Sequence, residues 1–217
     1  LETGERFEFE WAVRGLSNLV QFHAFEEHLL TLTKEKLASG QVKVEDDIYL
    51  TLATRGSIEQ SDDFHTKGRD LYSTRLIIRG DREIRKVLTN LENISEVDKD
   101  AIRVQSKQRI YSSLDRLEHF NLNSRIAIES DLISLEEATY EILNNKKSLS
   151  YRLIRRQSFI FNNNYRIDLS TVKSGNNAEN MIKSNETYEA ELELNPTSLS
   201  NLDILRPVVV EGLHYLI

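Results

Sequence analysis

Stretch after stretch of this chain alternates between charged and apolar residues. In Phe7-Glu-Phe-Glu-Trp11, Glu8 and Glu10 fall on one face of a strand and Phe7, Phe9 and Trp11 on the other, because successive side chains point to opposite sides. In 188–194, Glu189, Glu191 and Glu193 oppose Tyr188, Ala190, Leu192 and Leu194. Arg103, Gln105, Lys107 and Arg109 share a face, as do Arg152 and Arg156. Arg125 and Glu129 oppose Ile126 and Ile128, and Arg166, Asp168 and Ser170 oppose Ile167 and Leu169. A sheet with one solvated face accounts for any one of these strands. Two features weaken that account for the set. The charges are sorted, with two strands purely acidic and others mainly basic. The chain also carries enough helical pattern to cover the apolar faces. If helices cover the outside, a closed barrel must turn its charged faces inward.

The expected fold is therefore α+β, mainly β: an eight-stranded antiparallel barrel with a charged interior and helices packed outside. Strands are predicted near 6–14, 47–55, 72–79, 102–111, 121–131, 151–161, 164–173 and 187–195. Helices are predicted near 17–38, 81–92, 134–144 and 198–216. Asn162-Asn163-Asn164 reads as a hairpin turn, since Asn tolerates positive φ. With 8 Gly, 2 Pro and no linker-like stretch in 217 residues, the expectation is one domain over 1–217.

Composition removes several chemistries. There is no cysteine, which excludes disulfides, thiolate metal sites and the cysteine route to phosphate hydrolysis. The five histidines show no metal-ligand spacing. No apolar run long enough for a membrane helix is present, so no membrane partner is expected, and without a signal-peptide pattern the expected setting is intracellular. A net charge of -7 argues against coating a long polyanion. No phosphate-binding Gly-x-x-x-x-Gly-Lys loop and no Gly-x-Ser-x-Gly elbow occurs. The nucleotidyl-transferase Lys-x-Asp-Gly motif is also absent, so this chain alone should not add a guanylate.

Five glutamates confined in a tunnel repel one another unless a cation sits among them. Clustered carboxylate oxygens suit a hard divalent ion, Mg²⁺ or Mn²⁺. Arginine and lysine on facing strands suit a polyphosphate. Metal, polyphosphate and water together make a phosphohydrolase.

The same residues resemble a known family. Glu8-Phe-Glu10 and Glu189-Ala-Glu191-Leu-Glu193 resemble the two glutamate motifs of the metal-dependent RNA 5′-triphosphatases among the triphosphate tunnel metalloenzymes, the type of fungi, protozoa and large DNA viruses. Arg152-Leu-Ile-Arg-Arg156 and Tyr165–Lys173 resemble the family's basic strand and the strand after it. Thr74–Gly80 and Ser106–Arg109 resemble upstream phosphate-binding strands of the viral branch. The resemblance implies removal of the γ-phosphate from the 5′ end of nascent RNA, the first step of mRNA capping, together with NTPase activity. It implies Glu8, Glu10, Glu189 and Glu191 as metal-site glutamates, with Glu193 supporting them. Arg75, Lys107, Arg125 and Arg156 become phosphate ligands, Glu129 a residue orienting water, and Arg152 and Asp168 tunnel-lining residues. Implied partners are the triphosphate RNA end, NTP and an mRNA guanylyltransferase on another chain or a further domain. The implied location is the host cytoplasm or virion for a viral protein and the nucleus for a fungal or protozoan one.

Two departures qualify the resemblance. The family's basic strand carries Arg-x-Lys-x-Arg, and here Ile154 holds the middle position while Arg155 faces the wrong side. Either a β-bulge turns Arg155 inward, or that cation is missing or supplied by Arg109. Related tunnel enzymes for small triphosphates begin Glu-x-Glu-x-Lys, whereas here the fifth position is Ala12, which favours the capping branch. A tripolyphosphatase and a catalytically silent phosphate-binding barrel remain the alternatives.

Overall fold

The computed structural model describes residues 5–14, 16, 18–54, 73–116, 121–131, 133–162, 164–195 and 202–216. Eight strands form one closed antiparallel barrel: β1 (Glu5–Arg14), β2 (Val42–Thr54), β3 (Ser73–Arg79), β4 (Ile102–Arg116), β5 (Asn121–Ser130), β6 (Leu149–Phe161), β7 (Tyr165–Gly175) and β8 (Thr187–Leu194). Their order around the barrel is β1-β5-β4-β3-β2-β6-β7-β8, with β8 closing on β1. The helices are α1 (Leu19–Ala38), α2 (Asp81–Thr89), α3 (Leu135–Asn144), α4 (Ala178–Lys183) and α5 (Leu202–Leu216). All eight predicted strands are present.

The apolar faces point outward, under the helices. One core joins Phe159, Ile167 and Leu192 of the barrel to Phe22 and Leu29 of α1 and Val208 and Tyr215 of α5. Phe9 and Trp11 pack against it, so the apolar face of β1 is outer packing. The other core sets Leu50, Leu52, Leu76 and Ile78 against Ile84 and Val87 of α2, Ala138 and Ile142 of α3 and Met181 of α4. Close approach is needed where α5 crosses β8: a Cβ on Gly212 would lie 2.8 Å from a Leu192 methyl. α3 is also tied to the sheet by Glu141, which accepts hydrogen bonds from Thr54 (3.0 Å) and Thr74 (2.5 Å).

Local signals set several ends. The Asn18 side chain caps α1, and a capping box of Ser134 and Glu137 starts α3. Gly80, at φ 86°, turns β3 into α2. α2 stops at Thr89 because Asn90 is extended and its side chain starts a 3₁₀ turn, so the helix predicted to 92 is shorter. β2 begins at Val42, before the predicted 47, and α4 was not predicted. The turn at Asn162 has the expected positive φ of 44°.

Candidate active site in the charged tunnel

Registers decide which charges meet. Across β1 and β8, Glu10 stands opposite Glu193 and Ala12 opposite Glu191. Glu8, Glu10, Glu191 and Glu193 thereby form one acidic wall. On one flank, β5 places Arg125 opposite Glu10, and β4 places Lys107 opposite Glu129. On the other, β7 places Asp168 opposite Glu191 and Arg166 opposite Glu193, while β6 contributes Arg156. Cations therefore flank the carboxylates on both sides.

The contacts follow this layout. Lys107 pairs closely with Glu8 and lies 3.9 Å from Glu10 and 3.7 Å from Glu129. Arg125 binds Glu10 at 2.5 Å and approaches Glu191 at 3.7 Å. Arg156 binds Asp168 at 2.8 Å, donates to Ser170 Oγ at 3.2 Å and approaches Glu191 at 3.7 Å. Arg166 joins Asp168 (2.9 Å) to Glu193 (2.5 Å). Arg6 donates from Nε (3.1 Å) and Nη2 (2.9 Å) to one oxygen of Glu129.

Crowding and burial disturb the acids. Burial, joined by Glu129 and Glu10, pushes Glu8 above the usual carboxylate range despite Lys107. Burial and then Glu191 do the same to Glu10. Burial, reinforced by Glu8 and opposed by Arg166, pushes Glu193 up to about 7. Glu129 goes the other way: burial opposes ionisation, but Lys107 and Arg6 outweigh it and hold the carboxyl low. Burial lowers the Arg75 guanidinium, which has no carboxylate within 4 Å among the described residues and donates to Ser73 Oγ at 3.3 Å. Among those residues it is a half-buried cation with no carboxylate in ion-pair range.

Most of the predicted site residues come together here. Glu189 does not join Glu8 and Glu10; it pairs with Arg152 at 2.9 Å. Arg155 faces outward and is exposed, because β6 runs against both neighbours without a register shift. The bulge lies in β4 instead, between Arg109 and Tyr111. Sequence reasoning gave no site role to Arg6, Arg166 or Tyr49. Arg6 is in phase with Glu8 and Glu10, so the alternation itself contained that signal. Tyr49 shares a face with Asp47 and Thr51, and its ring lies 5.5 Å from the Arg156 guanidinium and 5.8 Å from that of Arg79. With Ile77, Ile154 and Val172 it makes an apolar patch on the wall away from the glutamates.

The model of the family described as "mRNA capping enzyme, beta chain" matches residues 60–203, well over half of the chain. The chain belongs to that family. The matched stretch starts beyond β1, so Glu8 and Glu10 enter the site through the β1–β8 register rather than through the family match. No curated protein matches the chain at a significant level. Among solved structures, the chain is similar to the mimivirus capping enzyme triphosphatase: 21% identity, 96% of this chain and 88% of that one covered, TM-score 0.65. The triphosphatase domain of a trifunctional mimivirus mRNA capping enzyme gives 21% identity, 97% and 88% coverage and a TM-score of 0.66. The RNA triphosphatase Pct1 of S. pombe, in complex with the Spt5 CTD, gives 11%, 89%, 73% and 0.52. These likenesses establish the tunnel fold, and the tunnel triphosphatases are metal-dependent enzymes.

Proposed function

We propose that this chain hydrolyses the γ-phosphate of 5′-triphosphate RNA, leaving a 5′-diphosphate end. The observation that carries this is the acidic wall of Glu8, Glu10, Glu191 and Glu193, flanked inside a closed barrel by Lys107, Arg125 and Arg156.

The donor set fits a hard divalent ion, Mg²⁺ or Mn²⁺. Burial, with the neighbouring carboxylates adding to it, pushes Glu8, Glu10 and Glu193 above their usual range, and a divalent cation among them would relieve that. Among the described residues no three acids yet converge at ligating distance; Lys107 and Arg125 lie between them. Glu8, Glu10 and Glu193 would hold the ion, with Glu191 beside them. When bound, it would polarise the γ-phosphoryl group and neutralise part of its charge.

The protein's own groups do the rest. A triphosphate draws Lys107, Arg125 and Arg156 from their carboxylate partners onto phosphate oxygens, and Arg75 gains an anion. Glu129, kept ionised by Lys107 and Arg6, accepts a hydrogen bond from the attacking water and orients it. The water oxygen bonds to the γ-phosphorus as the bond to the β–γ bridging oxygen breaks. The diphosphate leaves with its charge neutralised by the arginines, and the products are inorganic phosphate and diphosphate-ended RNA. That end is what a guanylyltransferase consumes, so one is the expected partner. In a test on triphosphate-ended RNA, ATP and tripolyphosphate, phosphate release should need Mg²⁺ or Mn²⁺ and stop with EDTA. It should fall at least about a hundredfold in Glu8→Ala and Glu193→Ala, on the order of removing one electrostatic stabiliser. Undiminished turnover in both variants would refute the assignment.

A further inference from the structure

One mouth of the tunnel is framed by arginines that the chemistry above leaves largely unused. Arg6 and Arg103 lie near the starts of β1 and β4, Arg166 near the start of β7, and Arg79 at the end of β3. Antiparallel pairing brings these four positions to the same end of the barrel. Their side chains are 38 to 49% exposed. The facing rim acids are Asp47, which binds Arg79 at 2.8 Å, and Asp131, 3.5 Å from Arg103 and 3.7 Å from Arg6. Arg6 and Arg166 are also bound inward, to Glu129 and to Asp168 and Glu193, which leaves Arg79 and Arg103 as the arginines whose carboxylate partners, among the described residues, lie on the rim alone.

The basic surface continues beyond the rim. Directly after Arg79, Gly80 turns the chain into α2, where Arg82, Arg85 and Lys86 share a cleft of about 560 Å³ with Asp81, Thr89 and Asn93. Arg82 is 87% exposed, and its nearest carboxylate, Glu83, is 3.8 Å away. Arg85 meets no carboxylate among the described residues. An exposed charged helix face is ordinarily just solvated. This one adjoins the rim of the reaction tunnel, on a chain whose net charge is -7.

We infer that the RNA strand passes through this mouth, and that Arg103 on the rim and Arg82 and Arg85 on α2 bind the first internucleotide phosphates downstream of the triphosphate. The inference rests on the RNA substrate proposed above. A free nucleotide ends inside the tunnel, whereas an RNA chain extends past the rim onto α2. Guanidinium groups suit phosphodiester oxygens there, and binding successive phosphates carries no sequence preference. The site would therefore separate RNA from NTP without reading bases.

The test is the triple variant Arg82→Ala/Arg85→Ala/Arg103→Ala, with phosphate release measured on a short triphosphate-ended RNA and on ATP over a range of salt. None of the three residues touches the tunnel carboxylates. The expected result is a roughly tenfold lower kcat/KM on RNA at low salt, with a salt slope shallower by about 0.7 for each phosphate no longer neutralised. ATP turnover should be unchanged, which also shows that the variant is folded. A single Arg85→Glu variant should lower RNA turnover without touching ATP turnover. Equal losses on RNA and ATP would overturn the inference, as would an unchanged RNA rate and salt slope, which would place the strand at the opposite mouth. If the unmodified protein cleaves ATP but not RNA, the RNA reading falls first and this site with it.

Discussion

Asp168→Asn isolates what holds the cationic flank together. Asp168 is 1% exposed and accepts from Ser158 Oγ (2.6 Å), Arg156 Nη1 (2.8 Å) and Arg166 Nε (2.9 Å). The substitution keeps shape and size and removes one buried charge from between two guanidinium groups. Breaking a buried pair typically costs about 3–5 kcal/mol. Here the loss is partly offset, because Arg166 keeps Glu193 at 2.5 Å and Arg156 stays 3.7 Å from Glu191. The expected destabilisation is therefore near the low end, about 3 kcal/mol, which for a chain of this size lowers Tm by roughly 6–12 °C. Arg156 also loses the partner that fixes its orientation, so kcat should fall by about tenfold to a hundredfold. Thermal melts and phosphate release measure the two effects separately. Tripolyphosphate should recover part of the drop in Tm by giving both guanidinium groups an anion. A Tm within about 2 °C of the parent, with unchanged kcat, would show that Asp168 does not organise these arginines.

Three further outcomes follow from the same geometry. Glu193 is raised to about 7 in the folded protein, so between its ordinary value and pH 7 the folded state holds more protons than the unfolded one. Metal-free protein should thus gain stability as pH falls from about 7.5 to 5.5, by roughly 2 kcal/mol from this group; Glu193→Gln should flatten the trend in chelator-treated melts, and an unaltered trend would exclude Glu193 as its source. Tyr49→Leu should lower kcat up to about tenfold through removal of the ring beneath Arg156, while Tyr49→Phe should retain it; equal rates for the two variants would remove the ring from the account. Ile154→Lys buries an ammonium among Tyr49, Ile77 and Val172 and should cost about 2–4 kcal/mol in denaturant unfolding, and a neutral result would mean that the lysine finds a carboxylate.

The barrel was legible because its inner face is charged and its outer face apolar, so the period-two pattern marks both strand and face. That signal failed where alternation is interrupted. The start of β2 carries Glu45-Asp46-Asp47 in succession, which hides a strand beginning at Val42. α4 spans six residues, too few for a helical period to emerge. The members of the site were also legible, but their grouping was not. Three glutamates in phase on β8 look equivalent in sequence. The tilt of the strands sends Glu193 to Glu10 and gives Glu189 to Arg152. Register is a property of pairs of strands, and a single strand's pattern does not contain it.

The position of Ile154 shows how register changes the meaning of one residue. Read along β6 alone, it is a cation missing between Arg152 and Arg156. In the barrel, Ile154 stands opposite Tyr49 on β2 and Val172 on β7, so three neighbouring strands are apolar at the same point. A single missing lysine would leave polar neighbours shaped to receive it. This wall is instead consistently apolar and packed, with Ile154 5% and Val172 1% exposed. It offers nothing to a phosphate, and Tyr49 uses it to seat the flat face of Arg156. With Arg156 and the half-buried Arg75 reaching in from the edges of the apolar patch, the polyanion leans chiefly on the opposite side of the tunnel, where Lys107 and Arg125 flank the glutamates. Cations drawn from that side are the ones whose departure opens the acidic wall to a metal. Substrate binding and completion of the metal site are thus coupled through the same residues.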